Sequence, residues 1–406
     1  MLSLPFLRAN ARLLAFGVLM TFCSSVGQTF FISLFSGEIR AAFALSDGAF
    51  GSLYAIATLG SAAALLWAGR LIDRLPLPVF AGTVLALLGA TCLLMGAAAN
   101  AVHLVAVLFG LRLFGQGLCS HSAVVAMGRY FEAQRGRAVS IATLGHTLGE
   151  ASLPALAVAA LALAGWPHLW SGAGLLLIAL VPLIFVLLKG QRERDAAFHQ
   201  RRREGGGPDD KPLGAVLRDR GLWLRLPALL AMPFIGTGLI FHQVHLAETK
   251  GWPLSLIAGS FTVFAVCSLG MLLVAGPLVD RFGARRLLAF ALAPVTLGCL
   301  ALGLSDAPAV ATVFMGLLGA TTGLSAVLFG ALWAELYGVT HLGAIRAFAT
   351  SAMVFSTGIA PAVMGFFIDR GVGMEAIAFG CAIFAVLAAS LAVTAAAERP
   401  LRSGAP

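Results

Sequence analysis

The sequence predicts an all-α membrane protein: twelve transmembrane helices in two pseudo-symmetric six-helix bundles. Three observations predict it. Of 406 residues, 59% are hydrophobic and 11% charged, against roughly 25% charged in an ordinary soluble domain. The apolar residues fall in long runs, most of them sufficient for the ~20 residues that a bilayer-spanning helix needs. The two halves also share a short motif, GRLIDR at 69–74 and GPLVDR at 276–281. A mean hydropathy of +0.94 excludes both a soluble enzyme and a disordered chain, because neither could keep so much apolar surface in water.

Taken in order, the first span lies near 13–35, an apolar run too long for a signal-peptide core. Further spans lie near 47–69, 76–99, 101–128, 137–164 and 166–188. Residues 1–188 thus make an N-terminal six-helix bundle. A polar, basic linker follows at 189–221, with RRRE and GGGP inside it. The C-terminal bundle, 222–406, has spans near 222–247, 254–278, 285–305, 308–335, 342–368 and 372–396.

The net charge is +9, and its placement decides its meaning. Of 27 Lys and Arg, 23 fall in the inner segments and adjoining helix ends if both termini are cytoplasmic, and three (Arg40, Lys250, Arg370) fall outside. That is the positive-inside pattern, not a nucleic-acid surface. The expected location is a bacterial inner membrane. All six Trp are predicted near span ends, where indole rings favour the interface. The basic stretch from Lys189 to Arg225 reads as a solvated loop near anionic lipid. Lys189, Lys211 and Lys250 are not followed by Ser or Thr, so no Walker P-loop exists and no ATP hydrolysis is expected. The six Cys sit singly in apolar runs and read as core. Neither an enzyme nor a cofactor nor a metal site is expected, and the chain reads as a monomer in the bilayer.

GPLVDRFGARR (276–286) resembles the signature loop between the second and third helices of a six-helix half in the major facilitator superfamily. In the N-terminal copy, LPLP (75–78) replaces the usual Gly and basic residues. The resemblance implies a conformational latch built on Gly69, Asp73, Arg74, Gly276, Asp280, Arg281, Gly283 and Arg285. It implies that Asp73 faces the start of the eleventh helix near Arg346, and Asp280 the start of the fifth near Arg137. A carboxylate there is favoured by the helix dipole. YFEAQRGRA (130–138), HQVHLAETKGW (242–252) and LWAELYG (332–338) are similar to stretches of the monocarboxylate and oxalate/formate carrier branch. Those carriers often hold an Arg in the eighth span, whereas 261–275 is uncharged here. Drug exporters of the superfamily usually carry a Gly-Pro pair in the fifth span, where this chain has Glu150 in GHTLGEASLP (145–154).

A charge at the bilayer centre costs about 2.5–3.5 kcal/mol on insertion scales, which makes Arg112 and Glu150 the leading candidates. At helical rise Arg112 lies ~24 Å, and Glu150 ~20 Å, from the inner ends of the fourth and fifth spans. Gln116 follows Arg112 by four residues and His146 precedes Glu150 by four, so each charge has a polar neighbour on its own helix face. RLFGQG (112–117) resembles the superfamily's fourth-helix Arg-and-Gly motif, linked with proton coupling. Arg112 with Gln116 is expected to bind an anionic substrate, and Glu150 with His146 to carry the proton; a static Arg112–Glu150 ion pair is the alternative. Gln28, ~24 Å past Arg12, and the outward pair His242 and His245 are further candidates for substrate contact, the two His also as pH sensors or as packing. His121 is read as packing, and Glu335 as a partner of Arg346.

Carrying a monoanion inward against a negative interior costs ~2.3 kcal/mol per 100 mV, and one accompanying proton cancels that charge. The expected function is therefore proton-coupled uptake of a small organic anion. Efflux of an amphipathic compound or metabolite is the alternative. A non-transporting receptor is a third reading, disfavoured by a linker too short for a signalling domain.

Overall fold

The computed structural model describes residues 4–131, 135–190, 216–337 and 342–397, which form helices and turns without strands. Among the described residues, eleven helices are long and apolar enough to cross a membrane. The ninth predicted span is made of two pieces, Ala284–Leu287 and Ala293–Leu304. Pro294 sits in the first turn of the second piece, where its missing N–H costs nothing but where a helix from upstream would clash with its ring.

The chain forms two compact units. One comprises residues 1–45 and 53–207, the other residues 208–406 together with Ser46–Ser52, the entry to the second span. The same pairings recur inside each. In the first unit, Leu4–Ser24 packs on Arg135–Leu161, and Leu77–Gly96 on Trp166–Ala179. In the second, Arg220–Phe241 packs on Leu342–Ile368, and Ala293–Leu304 on Met374–Ala397. The first span with the fifth and the third with the sixth thus match the seventh with the eleventh and the ninth with the twelfth.

Between apolar helices in lipid there is no hydrophobic drive, so close backbone approach through small residues does the work. In the second unit Gly319 and Gly323 bring Ala309–Tyr337 onto Leu254–Phe282. A Cβ at either would stand 2.2 Å from the Phe264 or Ser268 carbonyl oxygen. Gly89 and Gly174 meet reciprocally in the first unit, where a Cβ on Gly174 would lie 2.7 Å from the Gly89 oxygen.

Each unit also fastens the start of its leading helix to the end of its last one. Arg12 donates to the Val186 carbonyl, and Arg225 to the Ala395 carbonyl. Both acceptors lie in last turns, where carbonyls lack intrahelical partners and cations are favoured. Arg225 is therefore a buried structural residue, at 4% exposure, and not part of a solvated loop. Residues 191–215 of the predicted linker lie outside the described residues. Past them, Asp219 caps the seventh span by accepting from Gly221 N at 2.9 Å, and it also accepts from the Tyr337 hydroxyl at 2.6 Å.

The interface role predicted for all six Trp holds for only part of the set. Trp67 and Trp223 are exposed, but Trp170 and Trp333 are fully buried and Trp252 nearly so. Trp170 packs edge-on against Phe31 and beside Phe35, so proximity to a span end did not by itself distinguish core from interface.

Candidate functional site

The first predicted span is not one helix. Leu4–Ser24 gives way to a 3-10 turn (Ser25–Gly27), an extended Gln28 (φ −85°, ψ 153°), and then the short helices Thr29–Ile32, Ser33–Phe35 and Ser36–Phe43. Non-helical backbone at membrane depth survives only where its polar groups find partners. Here Gln28 N donates to Ser25 O, and Gln28 O accepts from Phe31 N and Ile32 N. The Gly27 carbonyl is left to a side chain: Arg112 Nη1 donates to it at 3.2 Å.

The fourth span carries a matching irregularity. Leu111–Cys119 is π-helical, between Ala101–Gly110 and Ser120–Tyr130. Such wide turns concentrate at functional sites. Gly27 and Gly115 let the two irregular segments touch backbone to backbone: a Cβ on Gly27 would lie 2.1 Å from Leu111 O and 2.8 Å from Gly115 Cα. The π turn also shifts the helical phase, so the four-residue spacing of Arg112 and Gln116 no longer guarantees a shared face. Both Gln116 and Gln28 are half-buried.

Arg112 is 2% exposed. Besides Gly27 O, its Nη1 reaches Thr29 Oγ1 at 3.4 Å, and its guanidinium lies 5.2 Å from the centre of the Tyr54 ring. Thr29 Oγ1 and the Tyr54 hydroxyl are 2.7 Å apart. No carboxylate lies within ion-pair distance of Arg112 among the described residues, and its Nε has no hydrogen-bond partner among them. A guanidinium has more donors than these acceptors use. The site is therefore a buried cation in a neutral polar frame, with donors to spare.

Glu150 does not meet Arg112. Its Oε1 lies 3.4 Å from His146 Nε2, one turn back on the fifth span, with the carboxylate side chain 17% exposed. The i,i+4 pairing of His146 and Glu150 is thus formed, while the static Arg112–Glu150 ion pair is not. Gly145 and Gly149, on the same helix, carry the first span: a Cβ on Gly145 would sit 2.0 Å from Val18 O, and one on Gly149 2.1 Å from Ser25 Oγ. Thr29 and Tyr54 were missed by the sequence reading. Tyr54 carried a signal, being one of only three Tyr in the chain and set within an apolar run; a buried phenol needs a hydrogen-bond partner. Thr29 carried none.

His242 and His245 both face one carboxylate. The seventh span stops at Phe241, His242 forms the joint, and Gln243–Lys250 follows. Both rings face Asp47, with His242 Nδ1 3.3 Å from Oδ1 and His245 Nδ1 3.4 Å from Oδ2. They form the hydrogen-bonded arrangement around Asp47 that was the packing alternative to substrate contact.

Of the latch residues, the side chains of Asp73 and Arg346 lie outside the described set. Gly69 opens a 3-10 turn, Gly69–Asp73, with Arg74 exposed after it. Arg129 Nη2 holds the Ile72 carbonyl of this turn at 3.3 Å, and His121 Nε2 lies 3.2 Å from Gly69 O, a specific contact beyond packing. In the second copy, Gly276, Asp280 and Arg281 continue the helix Leu254–Phe282 and Asp280 is exposed. Gly283 then turns the chain at φ +80°, which L side chains rarely adopt. The first copy lacks that glycine and turns instead on Pro76, in extended conformation. Arg285 donates to Ala395 O at 3.2 Å, and Arg137 lies over the Phe6 ring at 5.0 Å. Glu335 Oε2 accepts from Ala284 N at 2.6 Å, capping the ninth span, while its predicted partner Arg346 has a side chain outside the described residues.

Two helical units built to one pairing plan, a broken first span and a buried fourth-span Arg define a membrane transporter. The family model of the Major Facilitator Superfamily matches residues 17–261 and 236–406, and the chain belongs to that superfamily. It is a multi-pass membrane protein. Its fold is similar to the crystal structure of a bacterial homolog of the human lysosomal transporter Spinster, in the inward-facing, unoccupied conformation. That match has a TM-score of 0.69 at 16% identity and covers 97% of this chain and 98% of that one. The occupied form of the same homolog gives a TM-score of 0.63 at 16% identity, over 94% and 96% of the two chains. Comparison with curated proteins gives no match.

Proposed function

We propose that this transporter takes up a small organic anion together with a proton, by alternating access, across a bacterial inner membrane with both termini cytoplasmic. One observation supports the anion above all: Arg112 is a buried cation without a carboxylate partner among the described residues and with unused donors. Burying a charge is costly unless something compensates it, and a carboxylate substrate supplies that compensation. Gln28 and Gln116, both half-buried beside the break and the π turn, bind the rest of the solute.

Glu150, with His146, is the proton carrier in this reading, separate from the substrate-binding Arg. A titratable carboxylate away from the guanidinium lets proton and anion travel together without one cancelling the other's site. Glu150→Gln is expected to remove proton-driven accumulation in proteoliposomes by about ten-fold or more while leaving counterflow intact. Unchanged accumulation would remove Glu150 from the coupling. The choice between uptake and efflux is read from net movement under an imposed pH gradient, with carboxylates tested first.

The two carboxylate loops act as the conformational latch of this cycle. Asp73→Asn is expected to shift the carrier toward its inward-facing form, seen as faster labelling of single cysteines on the cytoplasmic face and slower labelling on the other. Equal labelling at both faces before and after the substitution would dismiss the latch.

A further inference from the structure

The second unit contains a polar cluster that the proposed transport reading does not use. His242 is almost wholly enclosed, with its side chain 1% exposed, and both ring nitrogens face oxygen atoms. Nδ1 lies 3.3 Å from Asp47 Oδ1, and Nε2 lies 2.9 Å from the carbonyl of Pro361 in the eleventh span. A carbonyl oxygen only accepts, and so does a carboxylate. A neutral imidazole has one N–H and one lone pair, so it can serve one of these two acceptors and must turn its lone pair on the other. Both are served only when the ring carries both protons.

We infer that His242 and Asp47 form a proton-binding site, in which an imidazolium bridges the Asp47 carboxylate and the Pro361 carbonyl and so fastens Ser46–Ser52 to the seventh and eleventh spans. The proton resides on the imidazole because a carboxylic acid is ordinarily the stronger acid of the two. The groups around it are consistent with one removable proton. His245 Nδ1 lies 3.4 Å from Asp47 Oδ2 and can donate there as a neutral ring. Asp369, from the eleventh span, is committed to the same segment, accepting from Gly48 N at 3.1 Å and from Ser46 Oγ at 2.6 Å. Arg370 turns back on its own helix, donating to Phe366 O at 3.1 Å. Phe50 stacks on Phe241 at 5.1 Å, and a Cβ on Gly51 would meet Pro361 O at 2.5 Å, so the segment is seated closely once fastened.

The nearby Lys250 cluster provides a contrast. Burial opposes its charge, but hydrogen bonds to Asp306 and Glu375 outweigh burial and hold the ammonium above the ordinary lysine range. It stays charged throughout the physiological range and fixes the fold, whereas an imidazole is the group that changes charge there.

The direction follows from the geometry. With the proton bound, both acceptors are satisfied and the segment is held; as pH rises and the proton leaves, one buried acceptor faces a lone pair and the hold weakens. The inference stands apart from the solute and from transport altogether, so its test reads neither. Full-length protein in nanodiscs is followed by hydrogen exchange of the 46–52 amides, corrected for intrinsic rates, between about pH 5 and about pH 9. In the wild type, protection should fall by about ten-fold or more across a single-proton transition. Asp47→Asn is the decisive variant. Its amide can donate to Nδ1 while the neutral ring donates from Nε2 to Pro361, so protection should persist at every pH. As a second readout, histidine-selective nitrogen NMR, assigned with His242→Gln, should show both His242 nitrogens protonated at low pH. Flat wild-type protection, a wild-type transition retained in Asp47→Asn, or a neutral His242 at low pH would each overturn the proposal. The wild-type profile and the NMR decide it even where a variant fails to fold.

Discussion

Arg112→Gln is expected to reduce anion flux by at least about 100-fold, in line with the ~3–5 kcal/mol that accompanies loss of one partner of a buried charge pair. The folded state should suffer much less. The wild-type guanidinium is buried at 2% exposure without a counter-charge among the described residues, so its removal also relieves a desolvation cost. A glutamine amide can still donate toward the Gly27 carbonyl that Arg112 Nη1 holds at 3.2 Å. The measurement is paired: thermal unfolding in detergent, and uptake of radiolabelled carboxylates in proteoliposomes. A folded variant without flux is the expected result. A variant that loses folding and flux together would mean that Arg112 chiefly closes the broken first span. Retained flux would end its substrate role.

Gly27→Val should have the opposite signature, with the loss falling on stability. The first added carbon would stand 2.1 Å from Leu111 O, 2.8 Å from Gln116 N and 2.8 Å from Gly115 Cα. These are backbone atoms of the π turn, which no rotamer change can move aside. Overpacking commonly costs ~1–3 kcal/mol, and backbone against backbone belongs at the upper end. The expected outcome is a melting temperature lowered by several degrees, with loss of monodisperse protein. Gly270→Ala is the control: beyond its chain neighbours and its own helix backbone, nothing lies within 4 Å of its Cβ position, and the change should be neutral or stabilise the helix by ~0.5–1 kcal/mol. Equal behaviour of the two variants would refute the close contact between the first and fourth spans.

The division between what the sequence showed and what it hid has physical causes. Span positions were legible because bilayer thickness sets a length and an apolar composition that a sliding window detects. The family was legible in GPLVDRFGARR, since a charged, glycine-bearing turn between two apolar runs is a distinctive pattern in so apolar a chain. The interruption of the first span was not. Residues 13–35 read as one apolar run, and nothing local in Ser25–Gly27 demands a break. It persists because Arg112, 85 residues further on, supplies the missing donor. The alternative of an Arg112–Glu150 ion pair failed for a related reason. Depth along two helices is a one-dimensional estimate, and contact depends also on rotation. The π turn changes the rotation on the fourth span, and Gly145 and Gly149 fix it on the fifth by pressing that helix against the first.

Amino-acid order alone establishes that this protein lives in a bilayer, that it is built twice over from six spans, and where its few costly charges lie along the chain. Those properties follow from composition and one-dimensional pattern, which the membrane reads directly. Three-dimensional packing was needed to settle which polar groups meet: Arg112 with Gly27, Thr29 and Tyr54, Glu150 with His146, and Asp47 with His242 and His245. In an apolar medium each buried donor must find an acceptor, but its partner is set by helix rotation and backbone approach, which depend on residues far apart in the chain.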